Sequence, residues 1–384
     1  MRPLNGHPLR GVTAGLLCLL LSVPTPAFSA EAVKPASETV VRAAPEAPDA
    51  KAEAAAASKA VAEKAPADAA AKPAEKSPPK PLPHIALILP TGSKAFGKVA
   101  ESVRLGFAAG AEAEGRNAFP HRVYNADDDT TALAREVRRA TAEGAVMLVG
   151  GVTRDGAAML ARENSALPAL ALNAPALAEA ELPERFFHVS LSLDHEARLA
   201  ARSAANDGVK RIAITASASP LARRIQDSFE KEWLRIGGEV AARIAISADL
   251  AEGEKVQRAL EKAMPDGIFV AADTRVARVA RPWFTQGIPV YATSMTIDPR
   301  ADAVENLDLD GVRFLEMPWF VELDHPAVMA FAKPAEPLPI DYERLYALGI
   351  DAWRLTQQVL KAGKPREVAP LDGVTGKITL DGRQ

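Results

Sequence analysis

Apolar segments of strand length alternate with helical patterns along residues 84–384, and this alternation begins again near residue 194. The first segment, His84–Leu89, is a continuous apolar run, which is typical of a parallel strand covered by helices on both faces. Further strands are predicted at residues 121–125, 145–149, 167–172 and 186–189 in the first set, and at residues 211–215, 239–246, 267–271 and 288–292 in the second. Two successive sets predict an α/β fold with two doubly wound lobes that face a central cleft.

The pattern continues beyond the second set of strands. The sequence predicts one more strand at residues 312–315, a long helix at residues 345–359 and an edge strand at residues 376–380. We therefore assign residues 84–193, with the C-terminal segments, to the first lobe. We assign residues from about 194 to about 292 to the second lobe. Each lobe is long enough to hold its own core.

The N-terminus has the features of a secretory signal peptide. Arg2 and Arg10 form a short positive region, and residues 11–23 are mostly apolar. Small residues then stand at the cleavage positions within residues 27–29. We expect residues 1–29 to direct export to the periplasm. No later apolar run approaches the ~18 residues of a membrane-spanning helix, so no span is expected in the mature protein.

The single cysteine, Cys18, lies inside this apolar run. A lipoprotein acylation site needs a small residue directly before the cysteine, and here the bulky Leu17 precedes it. Lipidation remains the alternative to a cysteine that is removed with the signal peptide. Without Cys18 the mature protein has no thiol, which excludes disulfides, thiolate metal sites and a cysteine nucleophile.

Residues 30–83 differ in composition from the rest of the chain. Between residues 31 and 83, 19 of 53 residues are alanine and 9 are proline, and there is no glycine or aromatic residue. Such a segment cannot bury enough apolar surface to offset its ordering entropy. We predict a disordered linker here, which acts either as a tether or as a simple solubilising spacer.

The sequence contains few signals for chemistry. The dinucleotide-binding, phosphate-binding, zinc-protease and nucleophile-elbow motifs are all absent from it. A calcium-like loop begins at Asn306, but Met317 occupies the position where a bidentate glutamate is needed. The acidic residues 127–129 suggest either a metal site or a helix N-terminus. A net charge of −3 does not indicate a nucleic-acid partner. We predict a binding protein without catalytic residues, cofactor or metal.

Polar residues follow several of the predicted strands, where a ligand in the cleft would bind. Candidate ligand-binding residues are Thr91, Ser93, Gly151, Thr153, Asn173 and Asp273. Free N–H groups at helix N-termini suit a carboxylate, and Asp273 is the candidate partner for an ammonium group. The alternative is that Ser93, Thr153 and Thr274 only cap their own helices.

Several segments resemble known families. The strand at residues 85–90 and the helix at residues 95–107 resemble the opening of type I periplasmic-binding-protein domains, and residues 150–153 and 168–173 continue this likeness. Three segments, at residues 309–319, 345–353 and 371–381, resemble the LppC-type penicillin-binding-protein activators. The likeness extends over nearly all of residues 84–384.

The resemblance implies an outer-membrane lipoprotein that stimulates a bifunctional peptidoglycan synthase and whose binding-protein-like domain is not known to require a small ligand. This chain lacks a matching acylation motif at Cys18 and has residues 30–83 in place of the long helical-repeat N-terminal domain of the family's larger members. We expect a periplasmic activator of a penicillin-binding protein. The alternative is the substrate-binding subunit of an ABC-type amino-acid importer, because fold alone does not separate the two.

Overall fold

The computed structural model describes residues 81–127, 129–163, 166–302, 304–362 and 368–380. The predicted signal peptide, Cys18 and the linker up to residue 80 lie outside the described residues. So do Asp128 of the acidic run and Asp381 at the end of the third LppC-like segment.

The first lobe contains a five-stranded parallel sheet in the order β2-β1-β3-β4-β5. Its strands are β1 His84–Leu89, β2 His121–Asn125, β3 Ala145–Gly150, β4 Ala169–Ala171 and β5 Phe186–His188, and its helices are α1 Gly97–Glu114, α2 Thr130–Ala142 and α3 Arg154–Glu163. Strand β1 is buried along its whole length because helices cover both faces of the sheet. The predicted order of strands and helices is confirmed in this lobe.

The second lobe repeats this architecture with the parallel order β10-β9-β8-β6-β7. Its elements are α4 Leu193–Asn206, β6 Arg211–Ala216, α5 Pro220–Arg235, β7 Glu239–Ala245, α6 Gly253–Ala263, β8 Gly267–Ala271, α7 Thr274–Ala280, β9 Val290–Ala292 and β10 Val312–Phe314. The doubly wound α/β class predicted from the sequence is thus confirmed. The sheet includes β10 and so extends past residue 292, the predicted end of this lobe.

The C-terminal segments contain α8 Pro318–Val321, α9 Pro326–Met329, α10 Ile340–Ala362, β11 Leu371–Asp372 and β12 Lys377–Ile378. Helix α10 packs along α1, and Trp353 and Leu355 enter the core that contains β1. The predicted edge strand at residues 376–380 is not part of either large sheet. Instead, within the described residues β12 pairs with β11 alone in a short antiparallel ribbon, because the turn at Gly373 and Gly376 folds the chain back on itself.

The α1–α10 crossing depends on glycines. A Cβ atom at Gly106 of α1 would lie 1.8 Å from the carbonyl oxygen of Tyr346 in α10. A Cβ atom at Gly349 of α10 would lie 2.3 Å from the carbonyl oxygen of Val103 in α1. The two helix backbones therefore touch at a point where no larger side chain fits.

A buried carboxylate in the second lobe gives a test of pH dependence. Glu232 of α5 accepts hydrogen bonds from Arg235 at 2.7 Å and from Arg202 of α4 at 2.6 Å. These bonds lower the pKa of Glu232 from 4.5 to about 2. A lowered pKa means that Glu232 adds stability above its unfolded-state pKa and that this stability is lost as the pH falls toward 2.

We therefore expect Glu232→Gln to lower the urea midpoint at neutral pH and to flatten the decline of that midpoint in acid. The measurement is urea unfolding between about pH 7 and about pH 3, followed by tryptophan fluorescence. Asp227→Asn, at an exposed carboxylate of the same helix, is the matched control. Equal acid sensitivity in the wild type and Glu232→Gln would contradict the assignment.

Candidate functional site

Thr91 and Ser93 follow β1 at the carboxyl edge of the first sheet. The hydroxyl of Thr91 donates to Asn125 Oδ1 at 2.9 Å, and the N–H of Gly92 donates to the same oxygen at 3.1 Å. Ser93 Oγ accepts hydrogen bonds from the N–H groups of Ala95 and Phe96 at 3.1 and 2.7 Å. Both side chains thus hold the turn between β1 and α1.

Gly151 and Thr153 form the corresponding turn after β3. Gly151 has a φ of +67°, and a Cβ atom there would lie 2.8 Å from Ala157 Cα in α3. Only glycine fits both the positive φ angle and the close approach of the α3 backbone. Thr153 Oγ1 accepts a hydrogen bond from Gly156 N at 3.0 Å and so caps α3.

Asn173 and Asp273 complete the predicted set. Asn173 Nδ2 donates to the carbonyl oxygen of Val152 at 2.9 Å, which joins this residue to the turn after β3. Asp273 Oδ1 accepts from Val276 N at 3.0 Å and caps α7, so the cap is Asp273 rather than Thr274. Within the described part of the chain, no hydrogen bond joins Asp273 to the first-lobe candidates.

The six candidates therefore share one property. They lie at strand ends or at a helix start, and the five that have polar side chains bond through them to nearby backbone or to a neighbouring turn. The local capping interpretation explains Thr153 and Asp273 without a ligand. Their role in ligand binding remains a prediction.

A cavity of about 370 Å³ lies beside α2 and α3 of the first lobe. Gly151 and Thr153 line it, and its acidic residues are Asp127, Asp129 and Asp155. Asp129 caps α2 by accepting from Ala132 N at 2.5 Å. In the described ranges, no three His, Cys, Asp or Glu side chains are grouped to hold one metal ion.

A charged cluster that sequence reasoning did not find lies near the carboxyl end of β9. Glu196 of α4 accepts from the N–H and the hydroxyl of Ser294 at 2.8 and 3.1 Å. Arg344 of α10 donates to Glu316 at 2.5 Å and to the carbonyl oxygen of Ser294 at 3.3 Å. Burial raises the pKa of Glu196. The cluster links the second lobe to the C-terminal helix.

The second of the three LppC-like segments provides the carboxylate that anchors the third. Asp351 of α10 accepts from Val374 N at 3.0 Å, from Thr375 N at 2.8 Å and from Thr375 Oγ1 at 2.7 Å. Burial raises the pKa of Asp351, while the hydrogen bonds from Thr375 and Val374 oppose that shift. Asp351 thus fixes the turn between β11 and β12.

The first LppC-like segment joins the same unit through Trp319. Its N–H donates to the carbonyl oxygen of Val374 at 3.0 Å, and its indole Nε1 donates to Glu343 at 2.9 Å. The ammonium group of Lys333 lies 3.6 Å from the centre of its ring. Segments that are far apart in sequence therefore assemble into one packed unit around α10.

No helix within the described ranges is both long enough and apolar enough to cross a membrane.

Comparison with known proteins relates this chain to a lipoprotein family and to penicillin-binding protein activators. The family model described as "LppC putative lipoprotein" matches residues 76–384. The penicillin-binding protein activator LpoA of Klebsiella pneumoniae is 24% identical over 290 residues, which cover 66% of this chain and 41% of that protein. The LpoA of Haemophilus influenzae is 26% identical over 284 residues, which cover 70% of this chain and 47% of that protein. The chain thus spans less than half the length of these curated relatives.

Two solved structures show the fold. A putative branched-chain amino acid ABC transporter from Chromobacterium violaceum is 31% identical, with a TM-score of 0.66 and coverage of 78% of this chain and 95% of that one. The C-domain of LpoA from Haemophilus influenzae, described as a regulator of PBP1A, is 21% identical, with a TM-score of 0.61 and coverage of 78% and 92%. Because the family match covers most of the sequence, the chain belongs to the LppC family.

Proposed function

We propose that this protein binds a peptidoglycan synthase of the penicillin-binding-protein class in the periplasm and raises its activity without doing chemistry itself. The observation that carries the proposal is the family match over residues 76–384, whose curated relatives are named penicillin-binding protein activators. The candidate residues Ser93, Thr153 and Asp273 each bond within the chain, so none of them needs a small ligand. A binder of this kind acts by preferring the active state of its partner.

Binding to a synthase is the first test. The mature chain, predicted to begin near Ala30, is immobilised, and each bifunctional penicillin-binding protein of the same organism is passed over it. We expect saturable binding by at least one synthase at micromolar concentration. Asp351→Ala, whose C-terminal ribbon loses its anchor, tests whether binding needs the intact unit around α10. Absence of binding by every synthase to a folded chain would overturn the proposal.

Import of an amino acid is the second candidate, and the likeness to the Chromobacterium violaceum protein favours it. Such a subunit needs one group for the ligand carboxylate and another for its ammonium. In this chain Ser93 and Thr153 bond to backbone N–H groups, and the Asp273 carboxylate caps α7. The candidate side chains thus already have partners within the protein.

We therefore expect no tight binding of free amino acids. A ligand at 100 times its dissociation constant stabilises a protein by about 2.7 kcal/mol, which a thermal-shift assay detects readily. The measurement is the melting temperature of the mature chain with each common amino acid at millimolar concentration. A clear rise with leucine, isoleucine or valine would favour the import function instead.

We also propose that the mature chain starts near Ala30, that residues 30–83 form a linker and that residues 84–384 form the two-lobed binding domain. The support is the small-residue site at residues 27–29 and the bulky Leu17 before Cys18. The intact mass of the exported protein is expected to match an unmodified chain from that region. A mass that includes diacylglycerol on Cys18 would show a lipoprotein.

A further inference from the structure

A cavity of about 330 Å³ lies in the second lobe, at the carboxyl ends of β6 and β7 and beside the start of α5. Its lining includes Ser217 and Ala218 of the turn between β6 and α5, Arg223 of α5, and Glu252 at the start of α6. We call it the α5 pocket. None of the six predicted ligand-binding residues lines it. A ligand here would therefore use groups that the candidate site does not contain.

The buried hydroxyl of Ser217 has no partner in this lining. Ser217 directly follows β6, and the residue is only 8% exposed. Its N–H donates to the carbonyl oxygen of Ala271 at 3.0 Å, but its Oγ makes no hydrogen bond within the described residues. A buried hydroxyl without a partner is unfavourable. A ligand in the α5 pocket can supply the missing partner and recover that free energy.

The start of α5 makes this side of the pocket positive. Ser219 caps the helix by accepting a hydrogen bond from Ala222 N at 3.1 Å, so capping does not explain Ser217. The N–H groups at a helix N-terminus attract negative charge, and the first turn of α5 contains no acidic residue. The N–H of Ala218, in the turn before the helix, also makes no hydrogen bond within the part of the chain that the structure describes.

Arg223 adds a cation that no carboxylate neutralises. It is exposed, and no ion pair among the described residues includes it. The other lining arginine, Arg243, is already paired, because it donates to both carboxylate oxygens of Glu230. The lining carboxylate of Glu252 accepts from Ser247 Oγ at 2.8 Å and lies at the start of α6, where a helix N-terminus favours negative charge. The positive charge of Arg223 and of the α5 N-terminus therefore remains for a ligand.

We propose that the α5 pocket binds a phosphate group, either as free phosphate or as a phosphate monoester. Three kinds of donor are present in its lining, namely the Ser217 hydroxyl, the Ala218 N–H and the Arg223 guanidinium. A phosphate group offers three terminal oxygens to such donors, whereas a carboxylate offers two. Arginine pairs with phosphate through two parallel hydrogen bonds, and a helix N-terminus is a common binding place for this anion.

The test is an NMR titration of the ¹⁵N-labelled mature chain with inorganic phosphate, with sodium chloride added to hold the ionic strength constant. We expect the backbone amide signals of Ser217 and Ala218 to shift with saturation at millimolar phosphate. Acetate should bind about tenfold more weakly, because it offers fewer oxygens to the donors. Glycerol 3-phosphate distinguishes the two sources of the group. Tighter binding than inorganic phosphate identifies a monoester as the ligand, and weaker binding identifies the free ion.

Two variants test the donors separately. Ser217→Ala should weaken phosphate binding about tenfold without lowering the urea midpoint, because it removes a buried hydroxyl that has no partner. Arg223→Gln should also weaken binding about tenfold. Lys231→Gln is the matched control, since it removes the same charge from an exposed residue of α5 that does not line the pocket. It should leave phosphate binding unchanged.

The outcomes that would contradict the proposal are specific. Absence of a saturable shift of the two amide signals in the folded chain would overturn it, as would equal phosphate binding by the wild type and Arg223→Gln. Equal binding of acetate and phosphate would overturn the assignment to phosphate. A lower urea midpoint for Ser217→Ala would mean that the hydroxyl has a partner within the protein, which contradicts the argument from burial. The assay contains no synthase, so its result is independent of the activation proposal.

Discussion

Replacing Gly106 by alanine is expected to lower the free energy of unfolding by about 3 kcal/mol or more, at the upper end of overpacking effects. The added methyl group would stand 1.8 Å from the carbonyl oxygen of Tyr346, so the backbones of α1 and α10 must separate. Separation also disturbs the core, because Trp353 of α10 packs edge-on against Phe107 of α1. The better helix propensity of alanine, worth about 1 kcal/mol, is too small to compensate.

Urea unfolding of the mature chain, followed by tryptophan fluorescence, measures this change. Lys98→Ala is the matched control, because it introduces the same residue on the exposed face of the same helix. The control is expected to stay within about 0.5 kcal/mol of the wild type. If Gly106→Ala is as stable as Lys98→Ala, the close crossing of the two helices is wrong.

Replacing Asp351 by alanine is expected to lower the free energy of unfolding by about 3–5 kcal/mol. This is the range seen when one member of a buried charged pair is removed. The N–H groups of Val374 and Thr375 would lose their acceptor, and Arg354 would lose its partner. Hydrogen exchange at Val374 and Thr375 should rise together with the loss of stability. Asp351→Asn, which keeps one carbonyl acceptor, should fall between the wild type and Asp351→Ala.

Asp372→Ala provides the comparison within the same ribbon. Its side chain is 73% exposed and has one long contact, at 3.5 Å, with His325. For this surface residue, the free energy of unfolding is expected to change by no more than about 0.5 kcal/mol. An equal loss for both variants would mean that Asp351 does not anchor the ribbon.

The fold was predictable where sequence patterns are local. The apolar run at His84–Leu89 and the repeating strand–helix order are sufficient to predict two parallel sheets. The C-terminal ribbon of β11 and β12 was harder to predict from the sequence. Its position depends on Asp351, more than twenty residues away, and such pairs leave no periodic signal in a single sequence.

The candidate site residues also divide into features that a local sequence pattern predicts and features that depend on distant contacts. Residue type and position placed Thr153 and Asp273 at strand–helix turns, where the structure has them. Their partners could not be predicted, because a capping side chain and a ligand-binding one have the same sequence signature. The Glu196 and Arg344 cluster was missed since its members come from distant elements and match no motif.

Activation of a peptidoglycan synthase is the proposed function of this LppC-family protein. The most direct measurement is the rate of glycan polymerisation and cross-linking by each bifunctional penicillin-binding protein of the organism, with and without the mature chain. We expect at least one synthase to become faster in a saturable manner, while the chain alone produces no polymer. Unchanged rates for every synthase, at concentrations where the added chain is folded and in excess, would contradict it.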